Sequence, residues 1–564
     1  MNPGATDRVS PRAAWVMVAL AGTLLVAVVL LWIGGTPLGN LREQLKWLQF
    51  WSLEFCLALC VALALIVYAD LAREATRGDV VRISGLAAIA IAVTVLVAPR
   101  TNRIFYDEQI YQGAGRNLAD LRLAQVCNDG NLEYGRLRCF SGEYNKQPYA
   151  YPHLLSLAYR LSGVHNDTAF IFNAMVMGAS VCGVYVLVCL LFRDRDAALF
   201  AGLILALTPQ QIMWSATAAV EPSASCAVIL SLISAAYYRR RGGSLALAAA
   251  AVVAAYSLQF RPESILILPL MALLVWPRLR EDGRRISTCW VALLFSALLT
   301  THIAHLYSVR NLSWGADLAP PFSFDYVPGN LRVNAWFYLG DERFPGIVTV
   351  LALCGLAVPA FRRERLVVTL YFALYFGILL VFYAGSYNYG ADVRYSLMTY
   401  PPIAILAGLG VVRLMRSVGT TVLPIRALAA AGFVWLFLWY APVVRATTEE
   451  AWAARVDVRV AREFAADLPP NSYVLTHNPS MFHVWGVNAG QLPLLAVSPR
   501  YVSYLMDRYT GGVYIHWNFW CNVQDPVHPE QCRKALALSP AELVREHRER
   551  DQRFALYRIE KPPI

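Results

Sequence analysis

The chain is short of charge. Asp, Glu, Lys and Arg make up 15% of its 564 residues, against roughly 25% in a soluble globular domain. Hydrophobic residues make up 57%, and the mean hydropathy is +0.45. That shortage excludes an ordinary water-soluble fold. Other absences narrow the class. The cysteines outside the apolar runs lack the tight C-x-x-C spacing of a structural zinc site. The C-terminal segment has no glycine-rich phosphate loop. Ionisable residues inside apolar runs are few, Glu54, His302 and His305 among them, and no internal repeat is evident. Both points weigh against the alternative reading, a multi-span transporter or flippase. The net charge of +11 sits in short clusters between apolar runs, the pattern of cytoplasmic membrane loops and not of a nucleic-acid surface.

What is present is a series of apolar runs near the length a bilayer core requires. They cover about 15–33, 50–69, 80–98, 169–192, 197–213, 221–238, 244–258, 262–277, 286–307, 346–361, 365–384, 395–412 and 427–443. They predict a polytopic α-helical membrane protein with about thirteen transmembrane helices. With a cytoplasmic N-terminus, every internal loop is basic, as at Arg73, Arg77 and Arg82 or at Arg239, Arg240 and Arg241. The first outer loop, with Arg42 and Lys46, is the weakest point of that pattern. No small-residue cleavage site precedes Gly34-Gly35, so the first run reads as a span and not a signal peptide. The predicted organisation is 1–98, N-terminal spans; 99–168, a large periplasmic loop; 169–444, a transmembrane core; and 445–564, a small periplasmic α/β domain. The expected location is the inner membrane.

Seven of the eleven cysteines fall in predicted spans. The other four form two close pairs, Cys127 with Cys139 and Cys521 with Cys532, in segments that charge puts outside. Two disulfides are predicted, since an oxidising compartment preserves them. In the C-terminal segment, 449–467 reads as an amphipathic helix and 473–477, 511–517 and 554–560 as strands. "SPAEL" at 539–543 reads as a capping box, with Ser539 as N-cap, Pro540 at N1 and Glu542 at N3, and predicts a helix. His477, His483 and His516 read as ordinary polar residues.

The most informative stretch is "RIFYDEQIYQGAGRNLADL", 103–121. Asp107 and Glu108 open an amphipathic pattern, Ile110, Tyr111, Ala114, Leu118 and Leu121, that suits a helix lying at the membrane surface. The pair can be a helix cap. Its company suggests more. At the far end of the same loop Lys146 precedes a proline-punctuated aromatic turn, "KQPYAYPHLL". A carboxylate pair and a lysine at the interface suit chemistry on a lipid-linked phosphate: the cation neutralises phosphate and the carboxylate takes a proton from an acceptor hydroxyl.

These segments resemble the glycosyltransferase-C superfamily, which includes lipid A aminoarabinose transferases and protein O-mannosyltransferases. The resemblance rests on "YDEQIY", on "KQPYAYPHLL", on 194–222 with its proline-ended span, on "QFRPESILILPL" and on "DVRYSLMTYPPIAIL". Two features depart from it: a Lys-Gln-Pro where Lys-Pro-Pro is usual, and two extra spans ahead of the carboxylate loop. The resemblance implies inverting transfer of a sugar from a polyprenyl-phosphate donor to a glycan, lipid or protein acceptor. It leaves a divalent cation open. Asp107 is then the expected base, with Glu108 as partner or as the base itself. Lys146, Arg394 and Arg261 are the candidates for the donor phosphate. Arg394 can equally be an interfacial snorkelling residue, and Arg261 can be a structural partner of Glu263. Glu143 is a candidate to orient Lys146, and Glu221 to approach the acceptor. Tyr111 and Tyr149 are candidates to line the sugar site, or members of an interfacial aromatic belt.

Overall fold

The computed structural model describes residues 11–282, 286–312, 320–358, 361–388, 392–417, 423–497, 499–524, 527–538 and 540–560. The chain is a polytopic helical bundle with a small sheet-containing domain at one end. Among the described residues, nine helical stretches are long and apolar enough to cross a membrane, or ten if one bent pair counts as a span. That pair, Arg195–Leu207 and Pro209–Ser215, bends by 62° where Pro209 lacks the amide that would continue the ladder. Three predicted runs fall outside this set. Ser244–Ser257 and Gly346–Leu356 have 14 and 11 residues, short of the bilayer core at 1.5 Å per residue. Glu221–Arg241 is too polar to qualify, yet almost every side chain from Glu221 to Tyr238 is buried. It is walled by other helices, so it has no need of a lipid-compatible face.

The sheet joins two segments far apart in sequence. Its strands are β1 (Val126–Glu133), β2 (Arg136–Glu143), β3 (Tyr473–Thr476), β4 (Asn488–Gln491), β5 (Val513–Trp517), β6 (Ala541–Glu549) and β7 (Gln552–Ile559). Their order is β2-β1-β4-β3-β5-β7-β6. β3 is parallel to β4 and β5, and the other pairs are antiparallel. β1 meets β4 at Asp129 opposite Gly490 and Gly130 opposite Ala489. The β1–β2 hairpin is therefore part of the C-terminal sheet. Successive strand residues face opposite sides: Val474, Tyr514 and Leu556 pack under the helix Trp452–Ala466, while Tyr473, Leu475 and Ile515 pack on the other face.

The helix expected after residue 539 is absent. Ser539 lies outside the described residues, and Glu542 sits in β6 paired with Arg558 of β7. Cross-strand pairing overrides the local capping signature.

The amphipathic helix Asp107–Asp120 does not lie open on the membrane surface. It is sandwiched between the helix Ala150–Ser162 and the short outer-domain helix Pro479–Val484. Two glycines allow this. A methyl at Gly113 would collide with Ser480, and one at Gly115 would crowd Leu155 and the Pro152 carbonyl.

Candidate active site

The turn ahead of Asp107 is built by its neighbour. Glu108 is fully buried. Its carboxylate accepts from the amides of Arg103 at 2.7 Å, Ile104 at 3.1 Å and Ala218 at 3.0 Å, and from Asn102 Nδ2 at 2.8 Å. Burial pushes the carboxyl up to about 7, while the four N–H donors pull the other way. The two adjacent carboxylates thus point apart, and Glu108 ties the 102–104 segment to the turn at Ala218. Asp107 points into the open, with its side chain 30% exposed.

Asp107 meets Arg394, with Nη1 to Oδ2 at 3.3 Å. Arg394 comes from the 3-10 turn Asp392–Thr399 that leads into the helix Tyr400–Ser417. Its Nε lies 3.4 Å from Glu221, a buried carboxylate at the N-terminus of its helix, where the dipole favours negative charge. Arg261 pairs with both Glu221 and Glu263. The two guanidinium groups lie 5.0 and 5.2 Å from the ring centre of Tyr395, and Arg394 Nη2 donates to its hydroxyl at 3.1 Å. Five formal charges from four regions of the sequence thus share one cluster, and only Asp107 has substantial exposure. Glu221 keeps one oxygen, Oε2, with no hydrogen-bond partner among the described residues.

Tyr111, one helical turn after Asp107, is buried against Tyr151 at 5.7 Å. Burial, then Asp107 and Glu221, hold its phenol well above the ordinary value, so it is a neutral hydroxyl beside the cluster. Lys146 lies partly buried in the turn before Ala150–Ser162. In that turn Tyr149 Oη accepts from the Asn145 amide at 2.7 Å, and the Ala150 amide donates to the Gln259 carbonyl at 3.2 Å. The turn therefore abuts the segment carrying Arg261. Tyr149 is buried beside Tyr144 and His305. Glu143 is exposed at the end of β2, where Asn128 donates to it at 3.4 Å. It is not part of the Asp107–Arg394 cluster.

Both predicted cysteine pairs are bonded, with Cα atoms 5.7 Å apart for Cys127–Cys139 and 5.8 Å for Cys521–Cys532. The carboxylates of the cluster alternate with guanidinium groups, a donor set that does not fit a divalent cation. The grouping with metal-ligand spacing among the described residues is His477 with Cys521 and Cys532, and those two sulfurs are bonded to each other. His516 and His483 are buried, one against Thr476 Oγ1 at 3.1 Å and the other against the Ala489 carbonyl at 3.0 Å.

An apolar cavity of about 260 Å³ runs among the helices Leu38–Glu74, Glu221–Arg241 and Ser244–Ser257. Leu57, Leu230 and Val253 line it, as do Ser223 and Phe260. Ser223 is two residues from Glu221, and Phe260 adjoins Arg261. One of the cavity's walls is an N-terminal helix.

Residues 146–307 match the family model described as dolichyl-phosphate-mannose-protein mannosyltransferase. Among solved structures, ArnT from Cupriavidus metallidurans in the apo state superposes with a TM-score of 0.52 at 15% identity, over 84% of this chain and 97% of that one. The same protein bound to undecaprenyl phosphate gives 0.50 at 16%, over 86% and 98%. The chain thus shares the fold of ArnT. The Archaeoglobus fulgidus oligosaccharyltransferase in the apo form gives 0.48 at 10%, over 78% and 69%. Among proteins with curated functions, none matches significantly.

Within this site, sequence reasoning missed Tyr395 and the structural work of Glu108. Tyr395 had a signal, its place beside Arg394 at a span end. Glu108 had none, because three of its four donors are backbone amides that no residue pattern marks.

Proposed function

We propose that the chain is an inverting glycosyltransferase that moves a sugar from a polyprenyl-phosphate donor to a hydroxyl (or phosphate) acceptor. It works at the outer face of the inner membrane, in cell-envelope glycan or glycoconjugate synthesis. The observation that carries this reading is the Asp107–Arg394 ion pair, 3.3 Å long, in a membrane bundle that also holds an apolar cavity. A lipid phosphate needs both a cation and an apolar slot. The ArnT structure with undecaprenyl phosphate supports that choice of ligand.

The donor phosphate draws Arg394 and Arg261 to itself, with Lys146 as a third cation from the adjoining turn. Glu221 keeps the two guanidinium groups side by side. Once Arg394 turns to the phosphate, the Asp107 carboxylate is free to accept the proton of an acceptor hydroxyl. The acceptor oxygen forms its bond to the anomeric carbon from the side opposite the phosphate. The carbon–oxygen bond to phosphate breaks, and the lipid phosphate leaves with the electron pair, held by the guanidinium groups. Glu108 fixes the backbone under Asp107 and takes no proton from substrate.

Thirteen spans, with Glu221–Arg241, Ser244–Ser257 and Gly346–Leu356 as sheltered members, complete the membrane part. The N-terminus is cytoplasmic, and the outer domain combines 99–168 with 445–564. The two disulfides support that orientation.

The test uses purified full-length protein and undecaprenyl phosphate carrying a hexose, an N-acetylhexosamine or an aminopentose. Mass spectrometry follows release of undecaprenyl phosphate in the presence of an envelope extract. The natural sequence consumes at least one donor and Asp107→Asn consumes none. Turnover by Asp107→Asn overturns the base assignment, and inertness of the natural sequence towards all three overturns the donor class.

A further inference from the structure

Asp107 is presented by an unusual piece of backbone. The residue before it, Tyr106, has φ 60° and ψ −24°, a left-handed conformation that a bulky side chain adopts only when its surroundings impose it. The Asp107 amide donates back to the Phe105 carbonyl at 2.7 Å, a three-residue turn, and the Ile110 amide donates to Tyr106 to start the helix. No side chain caps that helix. Something other than local propensity must hold the turn.

What holds it comes from the far end of the chain. Phe105 stacks on Phe519, with ring centres 4.0 Å apart and planes 22° apart. Tyr106 lies 5.7 Å from Trp520, and Trp520 also approaches Phe105 at 6.0 Å. The 519–521 segment is itself locked. The Phe519 amide donates to Asp457 at 2.9 Å, the Trp520 amide to Asn518 at 3.0 Å, and Cys521 is bonded to Cys532. Asn522 Nδ2 reaches the Arg553 carbonyl at 2.8 Å. Asp457 in turn sits on the helix Trp452–Ala466, which covers the sheet. The hydroxyl of Tyr106 and the second oxygen of Asp457 have no hydrogen-bond partner among the described residues, so stacking and not hydrogen bonding engages Tyr106.

We propose that Phe519 and Trp520 are positioning residues: the disulfide-closed segment of the outer domain clamps Phe105 and Tyr106, while Glu108 holds the preceding residues 102–104, and together they aim Asp107 at Arg394. This rests on the reading of Asp107 as the base. Loss of the clamp lets Tyr106 relax towards negative φ and swings Asp107 out of register, while the donor-phosphate cations stay where they are. The effect is a loss of turnover with no loss of lipid binding.

The experiment uses full-length protein in detergent. Hydrogen exchange of the segment 103–110 is compared between the natural sequence, Trp520→Ala and Trp520→Phe, with undecaprenyl phosphate affinity and the thermal midpoint measured alongside. Trp520→Ala speeds exchange in 103–110 about tenfold or more without weakening undecaprenyl phosphate binding, and Trp520→Phe restores most of the protection. On any donor the natural sequence consumes, Trp520→Ala lowers kcat with little change in KM. In a Tyr106→Gly background, where positive φ needs no enforcement, Trp520→Ala has little further effect. If Trp520→Ala lowers the thermal midpoint substantially, Phe519→Leu takes its place with the same expectations. Unchanged exchange at 103–110 in a folded variant overturns the clamp. Asp107→Asn, run in parallel, separates the two claims: its retained turnover overturns the base assignment, whereas exchange reports on the clamp whatever the chemistry.

Discussion

Arg394 and Asp107 are 287 positions apart in the chain and 3.3 Å apart in the fold. The same guanidinium lies 3.4 Å from Glu221. Asp107 is thus a competitor for the cation that a lipid phosphate would need.

Removing that competitor has a measurable consequence. Asp107→Asn leaves Arg394 with one anionic partner fewer, so undecaprenyl phosphate binds about two- to fivefold more tightly, the scale of a partly exposed ion pair. Titration of the purified variant against the natural sequence checks this, and weaker binding would mean that Arg394 does not change partners.

Arg394→Lys is not a conservative change. An ammonium cannot reach Asp107, Glu221 and the Tyr395 hydroxyl together as the planar guanidinium does. Undecaprenyl phosphate affinity falls about tenfold or more, and turnover falls with it. Recovery of natural affinity by the lysine would assign Arg394 a plain charge role.

Filling the apolar cavity separates tail from headgroup. Ala227 lines it, and Ala227→Trp obstructs it. Affinity for undecaprenyl phosphate drops about tenfold or more, while a phosphate bearing only about two isoprene units loses little. Equal losses for both ligands would show that the long chain lies elsewhere.

Acid loosens the outer domain. Burial holds His477 and His483 down to about 4 and His516 to about 3, below the ordinary 6.5. The unfolded chain therefore takes up protons first. The stability these groups contribute is complete above about 6.5 and is lost as the pH falls towards 4, by the order of a few kcal/mol. Unfolding of the outer domain followed from pH 7.5 to 4.5 shows this slope, and His516→Asn makes it shallower.

Thiol labelling tests the orientation. A membrane-impermeant maleimide applied to the periplasmic face leaves the partly exposed Cys139 unlabelled before reduction and labels it after. Labelling before reduction would mean an open bridge, and protection of Cys139 after it a reversed topology.

The sequence made the charges at span ends legible, because an ionised group beside an apolar run has few reasons to be there. Asp107, Arg394, Arg261 and Glu221 stood out on that ground, and all four meet. Glu143 stood out only by nearness to Lys146, and an exposed position at the end of β2 keeps it from the cluster. The β1–β2 hairpin was invisible because its sheet lies more than 300 residues away, and strand pairing at such distance leaves no local periodicity. The strand at 541–549 was hidden by a sound capping signature that tertiary pairing overruled. Glu221–Arg241 read as a span from its apolar run, although its polar and charged residues are tolerated only because protein surrounds it.

The shared sheet also sets a timetable. On the proposed topology β1 and β2 cross the membrane early in synthesis, while β4, the strand that covers the open edge of β1, follows several hundred residues later. At ribosomal speeds that interval lasts roughly tens of seconds, during which an unpaired edge faces the envelope space. The Cys127–Cys139 bond can close at once within the hairpin. The Asp129–Gly490 pairing must wait until β4 is made, so on the proposed topology the edge of β1 is covered only after the membrane bundle that separates the two strands in sequence.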